Sequence, residues 1–337
     1  MVGNGPSVRG APWICPRCRS ALLSEPGALR CEGCWASYEL IGDIPDLRIP
    51  TPAWIDFDHD RATAKRLRAL ESRSLDALVH HIFAARPGWS EDRVRQRTRQ
   101  VLEGPERSRR EIAGWLARPL RTGEPLLEIG CGTGGLLAAL PPDHDAIGVD
   151  VSLVWLVVAQ RLLEQQGRRR VLAAAVAEAL PLRDTSMKAI VALDVLEHVG
   201  DLAQVLREID RVGADGCVLA CSTPNRFSLA AEPHVGIWGV GWLPRICQQR
   251  YVKWRSGDDY SFVRLLGARE AAGLVLRHTH FAVTIQVPAI PDEEVASMSQ
   301  RRAWLSRCYN RLRSIQLLRP LLLLFGPFFR VEGVKRY

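Results

Sequence analysis

The stretch LLEIGCGTGG, Leu126 to Gly135, closes a short apolar run with an acid and then sets glycines at positions 130, 132 and 134. Glycine has no Cβ, so this spacing lets the backbone turn sharply off a strand and approach a ligand closely. A turn of that kind delivers a helix N-terminus, whose N–H groups point at bound ligand atoms. The dinucleotide fingerprint spaces its glycines G-x-G-x-x-G and uses the third for helix packing. Here the spacing is G-x-G-x-G, and Glu128 stands two residues before the first glycine. That argues for a ligand with a cation near the loop.

From Leu126 onward, short apolar runs alternate with longer helical stretches, the mark of parallel βαβ units in an α/β fold. The runs are PLLEIG, AIGVD, RVLAAAV, AIVALD and GCVLACS. VWLVVAQRLLEQQG is an amphipathic segment between two of them, and Gly167 supplies its stop. The second run ends in Asp150, sixteen residues after Gly134. A carboxylate there can accept both ribose hydroxyls of an adenosine, or alternatively cap a helix, with Ser152 as competitor for that role. Val151 is placed to lie against an adenine face. Asp194 falls at the end of the fourth run, where ligands bind in open α/β sheets. A helix starting there would put Glu197 and His198 on one face with it.

The ordered set LLEIGCGTGG, AIGVDVS, AEALPL and ALDVLEHV resembles the class I S-adenosylmethionine-dependent methyltransferases, particularly the small-molecule branch that includes quinone-biosynthesis enzymes. The resemblance covers about residues 124–225. It implies a Rossmann-like sheet of strand order 3-2-1-4-5-7-6 with the last strand antiparallel. It also implies that Gly130, Gly132 and Gly134 cradle the methionine moiety of S-adenosylmethionine and that Glu128 meets its amino group. Asp150 would hold the ribose, Val151 would flank adenine, and Ala177 and Glu178 would lie at the adenine edge. Val176 stands where relatives often carry an Asp. Asp194 joins the cofactor-binding set, and His198 is the first candidate for a base toward a hydroxyl acceptor, against a role in shaping the pocket. His234, in the stretch EPHVGIWGVGWLPR after the fifth strand, is the second, with Trp238 and Trp242 as candidate walls of an apolar acceptor pocket.

Ahead of this region, Cys15, Cys18, Cys31 and Cys34 form two C-x-x-C pairs with twelve residues between them. Two such turns present four thiolates to one tetrahedral ion, so one structural Zn2+ is expected, folding the module and doing no chemistry. With YELIGDIPDLR the module resembles the zinc-ribbon domains related to the tRNA-methyltransferase activator subunit. The expected organisation is a ribbon over 1–49, a helical, basic connecting region over 50–121, and a methyltransferase domain over 122–337 with an insert at 226–259. In the connecting region Ile112, Trp115, Leu116 and Leu120 recur at helical spacing.

The net charge is +8, and between Arg61 and Arg121 fifteen Arg and Lys face seven Asp and Glu. This segment reads either as a solvated helical face or as a grip for an anionic partner. The absent proline-rich fourth motif of base-amino methylases and the STPN after the fifth strand favour a small-molecule, glycan or lipid-linked acceptor methylated at oxygen. An RNA acceptor is the alternative. The tail LLRPLLLLFGPFFR is too short an apolar run to span a bilayer, and arginines 301, 302, 307, 311 and 313 beside it suit peripheral membrane contact. The first ten residues lack an apolar signal core. The cytoplasm is the expected location.

Overall fold

The computed structural model describes residues 12–49, 55–70, 74–112, 121 and 123–336. Trp115, Leu116 and Leu120 lie outside the described residues, as does the side chain of Ile112.

Four short strands, β1 (Leu22–Glu25), β2 (Ala28–Cys31), β3 (Ser37–Ile41) and β4 (Ile44–Pro45), make an antiparallel meander. Four helices follow: α1 (Phe57–Arg68), α2 (Leu75–Ala84), α3 (Glu91–Leu102) and α4 (Gly104–Ile112). The first three start on Asp56, Ser74 and Ser90, whose side chains accept backbone N–H groups of the first turn.

The large sheet holds β5 (Leu126–Ile129), β6 (Ala146–Asp150), β7 (Val171–Ala174), β8 (Met187–Leu193), β9 (Gly213–Pro224), β10 (Phe281–Gln286) and β11 (Phe328–Lys335). They run side by side in the order β10-β11-β9-β8-β5-β6-β7. The pairs β5–β6, β6–β7, β5–β8 and β8–β9 are parallel, and β11 is antiparallel to both its neighbours. The connecting helices are α5 (Gly135–Ala139), α6 (Leu153–Gln165), α7 (Leu202–Val212), α8 (Arg245–Ser256) and α9 (Ala268–His278). The tail adds α10 (Asp292–Ser297), α11 (Gln300–Arg313) and α12 (Arg319–Phe325). The chain leaves β5 toward β6 and returns on its other side at β8. A crevice therefore opens at the carboxyl ends of β5, β6 and β8, where ligands bind in open α/β sheets.

The stretch LVLRHTHFAV, which reads as strand-like from its sequence, is half helix: α9 runs to His278 and β10 starts at Phe281, because Ala268, Ala271 and Val275 bury one helical face. The ribbon also has no core of its own. Trp13, Cys15, Leu29, Cys31, Tyr38 and Leu47 belong to the same buried cluster as Leu127, Ala173, Leu180 and Leu182 of the large domain. Its chain docks on the domain by backbone bonds, Ile14 N–H to the Pro181 carbonyl at 3.0 Å and Leu47 N–H to the Ala174 carbonyl at 2.8 Å. The second bond occupies the outer edge of β7, which would otherwise be an open strand edge.

Candidate functional site

Gly130, Gly132 and Gly134 all have positive φ, 71°, 49° and 75°. A Cβ on Gly130 would lie 2.3 Å from Val195 Cγ2 and one on Gly134 3.0 Å from Ala159 Cβ, whereas one on Gly132 would meet nothing within 4 Å. The outer two glycines are required by packing, and the middle one faces open space. Its N–H donates to Asp150 Oδ2 at 2.8 Å, and Ser152 N–H donates to Oδ1 at 2.8 Å. Glu128, 6% exposed, sits beneath this bend, and among the described residues its Oε2 has no hydrogen-bond partner. Burial, and then the Asp150 charge, push the Glu128 carboxyl well above the ordinary carboxylate range. An orphaned buried oxygen costs on the order of 1–3 kcal/mol. A cationic ligand group would remove that cost. Glu128, the bare Gly132 backbone and Asp150 thus fit an amino-acid cation and a ribose, the two polar ends of S-adenosylmethionine.

Of the residues expected at the adenine, Val151 and Ala177 are half-buried, and Val176 beside them is buried. Glu178 Oε1 instead accepts from the N–H groups of Gly200 at 2.8 Å and Asp201 at 3.3 Å, which pins the turn before α7. The sequence reading missed a network at this wall. Arg48, fully buried, pairs with Asp46 at 2.7 Å and Asp60 at 2.8 Å and donates to the Val151 carbonyl at 2.8 Å. Asp60 in turn accepts from Ser152 Oγ at 2.9 Å and Leu153 N–H at 2.8 Å. The linker of the ribbon and α1 therefore hold the start of α6, whose Ser152 N–H fixes Asp150. No local motif signals Asp60, which is ninety-two residues away from Ser152.

The opposite wall begins at Asp194, which has φ 53° and accepts from Ser222 Oγ at 3.1 Å. No helix starts there. Residues 196–198 make a turn, and α7 begins at Leu202 because Asp201 caps it by accepting from Gln204 N–H at 3.0 Å. The turn nonetheless gathers the expected residues. Glu197 is 0% exposed, and its Oε2 accepts from Thr223 Oγ1 at 2.9 Å, while its Oε1 has no partner among the described residues. Burial, with the Asp194 charge next, raises the Glu197 carboxyl to about 7. The Nε2 atoms of His198 and His234 face each other at 3.1 Å. Burial, then the neighbouring His234, lowers His198 to about 4. Burial opposes charge on His234 too, but the Glu232 carboxylate on its Nδ1 outweighs this and raises its pKa. Glu232 was a missed residue with a legible signal, an acid two positions before the histidine.

In the ribbon, the four cysteine sulfurs lie within 4.8 Å of one another, with Cys15 and Cys34 at 3.6 Å and Cys18 and Cys31 at 3.3 Å. These contacts are far longer than an S–S bond and close to the roughly 3.8 Å edge of a tetrahedron with metal–sulfur bonds of about 2.3 Å. The two turns repeat one shape: Arg19 and Trp35, each after the second cysteine of its pair, have φ near 60° (62° and 61°). Such a donor set fits one zinc ion.

The remaining candidates divide. In the basic segment Arg61 pairs with Asp46 and Asp58, Arg95 with Glu91 and Asp92, and Arg109 with Glu106, while Arg86 and Arg93 lie over the Trp89 ring. Trp242 stacks on Phe325 at 5.7 Å, and Trp238 is exposed. No residue of α12 is fully buried: Leu323 packs against the core cluster of the large sheet, while Leu321 and Leu324, with Leu317 just ahead of the helix, are exposed. No helix among the described residues is long and apolar enough to cross a membrane.

Residues 127–221 match the family model described as methyltransferase domain. The demethylmenaquinone methyltransferase of Roseiflexus castenholzii is 38% identical over 121 residues, 35% of this chain and 50% of that protein. The ubiquinone biosynthesis O-methyltransferase of Azorhizobium caulinodans is 36% identical over 135 residues, 38% of this chain and 51% of that protein. The chain thus spans about half the length of these relatives. Among solved structures, phosphoethanolamine N-methyltransferase 2 of Haemonchus contortus with S-adenosyl-L-methionine is similar with a TM-score of 0.47. It is 16% identical, and the likeness covers 69% of this chain and 53% of that one. Residues 127–221 are thus the part of the chain that is similar to a methyltransferase domain.

Proposed function

We propose that this domain methylates a hydroxyl of an apolar, lipid-soluble small molecule, and that the ribbon holds one structural Zn2+ through Cys15, Cys18, Cys31 and Cys34. S-adenosylmethionine supplies a methyl group already activated by its sulfonium. What remains for the chain is to orient two partners and exclude water, which is worth roughly 7–11 kcal/mol of barrier. Glu128 binds the amino group, the Gly130–Gly134 bend lies along the methionine chain, and Asp150 accepts from the ribose hydroxyls. The acceptor enters from the side of Asp194 and the histidines. Of the two rings His234 is the better proton acceptor, because Glu232 holds its Nδ1 and favours its charged form, whereas His198 is held neutral.

The orphaned Glu128 oxygen beside the bare Gly132 backbone carries the cofactor assignment. The quinone-pathway names of the two relatives, the outward leucines of α12 and the arginines of α11 support an acceptor taken at an anionic membrane surface. The test is calorimetry with S-adenosylhomocysteine, followed by mass spectrometry of a panel of quinols, phenols and amines incubated with donor and anionic liposomes. A methyl-mass gain confined to hydroxyl compounds is the expected result. Absence of product binding at millimolar ligand overturns the cofactor assignment, and methylation of amines alone overturns the acceptor class.

A further inference from the structure

We infer that Glu197, His198 and His234 form a divalent-metal site at the acceptor end of the crevice, separate from the four cysteines of the ribbon. The three ligand atoms, one carboxylate oxygen and two imidazole Nε2, lie within 4.8 Å of one another. The two Nε2 atoms are 3.1 Å apart and Glu197 Oε1 is 4.0 Å from His234 Nε2. Ligands about 2.0–2.1 Å from a shared ion stand about 3.0–3.4 Å from each other, so the nitrogens are already at that spacing.

A neutral imidazole carries one N–H. His234 directs Nδ1 at Glu232 Oε1, so in its neutral form it turns a bare Nε2 lone pair toward His198 Nε2 and Glu197 Oε1. A cation in that space would take this lone pair as a ligand. Glu197 Oε1 points into the same space, buried and without a partner among the described residues, and that is the independent sign of a missing ligand. Glu232 is itself fixed, its Oε2 accepting from the N–H groups of His234 and Val235 at 2.9 Å each. A carboxylate behind a histidine is how metal-binding imidazoles are usually oriented. Two imidazoles and one carboxylate suit Zn2+, Mn2+, Fe2+ or Co2+ and leave coordination positions for an oxygen donor.

This deepens the methyl-transfer reading and rests on it in one respect, that the oxygen donor is the acceptor hydroxyl. With an ion bound, His234 Nε2 is spent on the metal, so the acceptor hydroxyl, its pKa lowered by the ion, would give its proton to water, and the resulting oxyanion would take the methyl group from the sulfonium and release S-adenosylhomocysteine; the proton-accepting role of His234 belongs to the ion-free site.

The probe is Co2+, titrated into the full chain with its ribbon already zinc-loaded, read by visible absorption and by metal content. One equivalent beyond the ribbon ion is expected, with weak ligand-field bands and without intense thiolate charge transfer. His198→Ala and His234→Ala should each lower Co2+ affinity at least about ten-fold, and Glu232→Gln about ten-fold through loss of orientation. S-adenosylhomocysteine binding by His234→Ala shows that the variant is folded. No Co2+ beyond the ribbon, or uptake unchanged in both histidine variants, overturns the site. Co2+ uptake with no S-adenosylhomocysteine binding supports the site and strikes the methyl-transfer reading instead.

Discussion

Glu128 is a buried acid waiting for a cation, and that has a pH signature. Its carboxyl is raised by burial and by Asp150, so the free protein keeps it protonated above the ordinary carboxylate range. A bound ammonium favours the ionised form, so binding the donor should release a proton. Affinity should climb with pH from the usual carboxylate range to the raised value and level off above it. Calorimetry in buffers of different ionisation enthalpy measures this, and Glu128→Gln should abolish the release and weaken binding roughly 10- to 100-fold, the worth of a charged hydrogen bond of about 1.5–3 kcal/mol. Stability moves the opposite way. A native pKa above the unfolded one means that stability falls as pH rises through that window, and the Gln variant should lose less. The glycines next to it separate by cause. Gly130→Ala drives a methyl against Val195 and should lower Tm most, with Gly134→Ala next, against Ala159. Gly132→Ala carries mainly the left-handed backbone cost of about 1–2 kcal/mol. Its larger loss should be in cofactor Kd.

Among elements, the joint between ribbon linker, α1 and α6 depends on Arg48. Replacing it by Met leaves Asp60 buried without a cation and Asp46 with Arg61 alone, which should cost about 3–5 kcal/mol. Urea denaturation would show it as a lower midpoint, and amide exchange should quicken at Leu47, whose N–H bonds Ala174. Arg48→Lys should recover little, since one ammonium cannot reach both carboxylates and the Val151 carbonyl. This joint was illegible because a buried ion network joins residues a hundred positions apart and leaves no periodic trace. The parallel strands were legible, being near-continuous apolar runs such as AIVAL in a sheet covered on both faces. The helix expected from Asp194 failed on a local competition. Asp201 and the Gly200 turn cap α7 better, and Asp194 takes a left-handed conformation that ends the strand.

At the scale of the molecule, the ribbon shares its buried cluster with the sheet. Chelation of the zinc proposed there should therefore lower the Tm of the whole chain in one cooperative transition instead of melting a separate module. Tryptophan fluorescence against temperature, with and without chelator, reads this through Trp13, buried at the junction. An independent ribbon would instead leave the main transition where it was. The sequence by itself determined the alternation of strands and helices, the glycine bend with Glu128 and Asp150, and the four-cysteine set. Those features are written in local spacing and in the backbone demands of single residues. Only the tertiary structure decided that His198 meets His234 from a separate insert, that Glu128 and Glu197 each keep an oxygen without a partner among the described residues, and that the ribbon's linker steadies the start of α6. Burial and pairing between distant segments depend on how the chain closes in space, and the spacing of residues along it does not encode them.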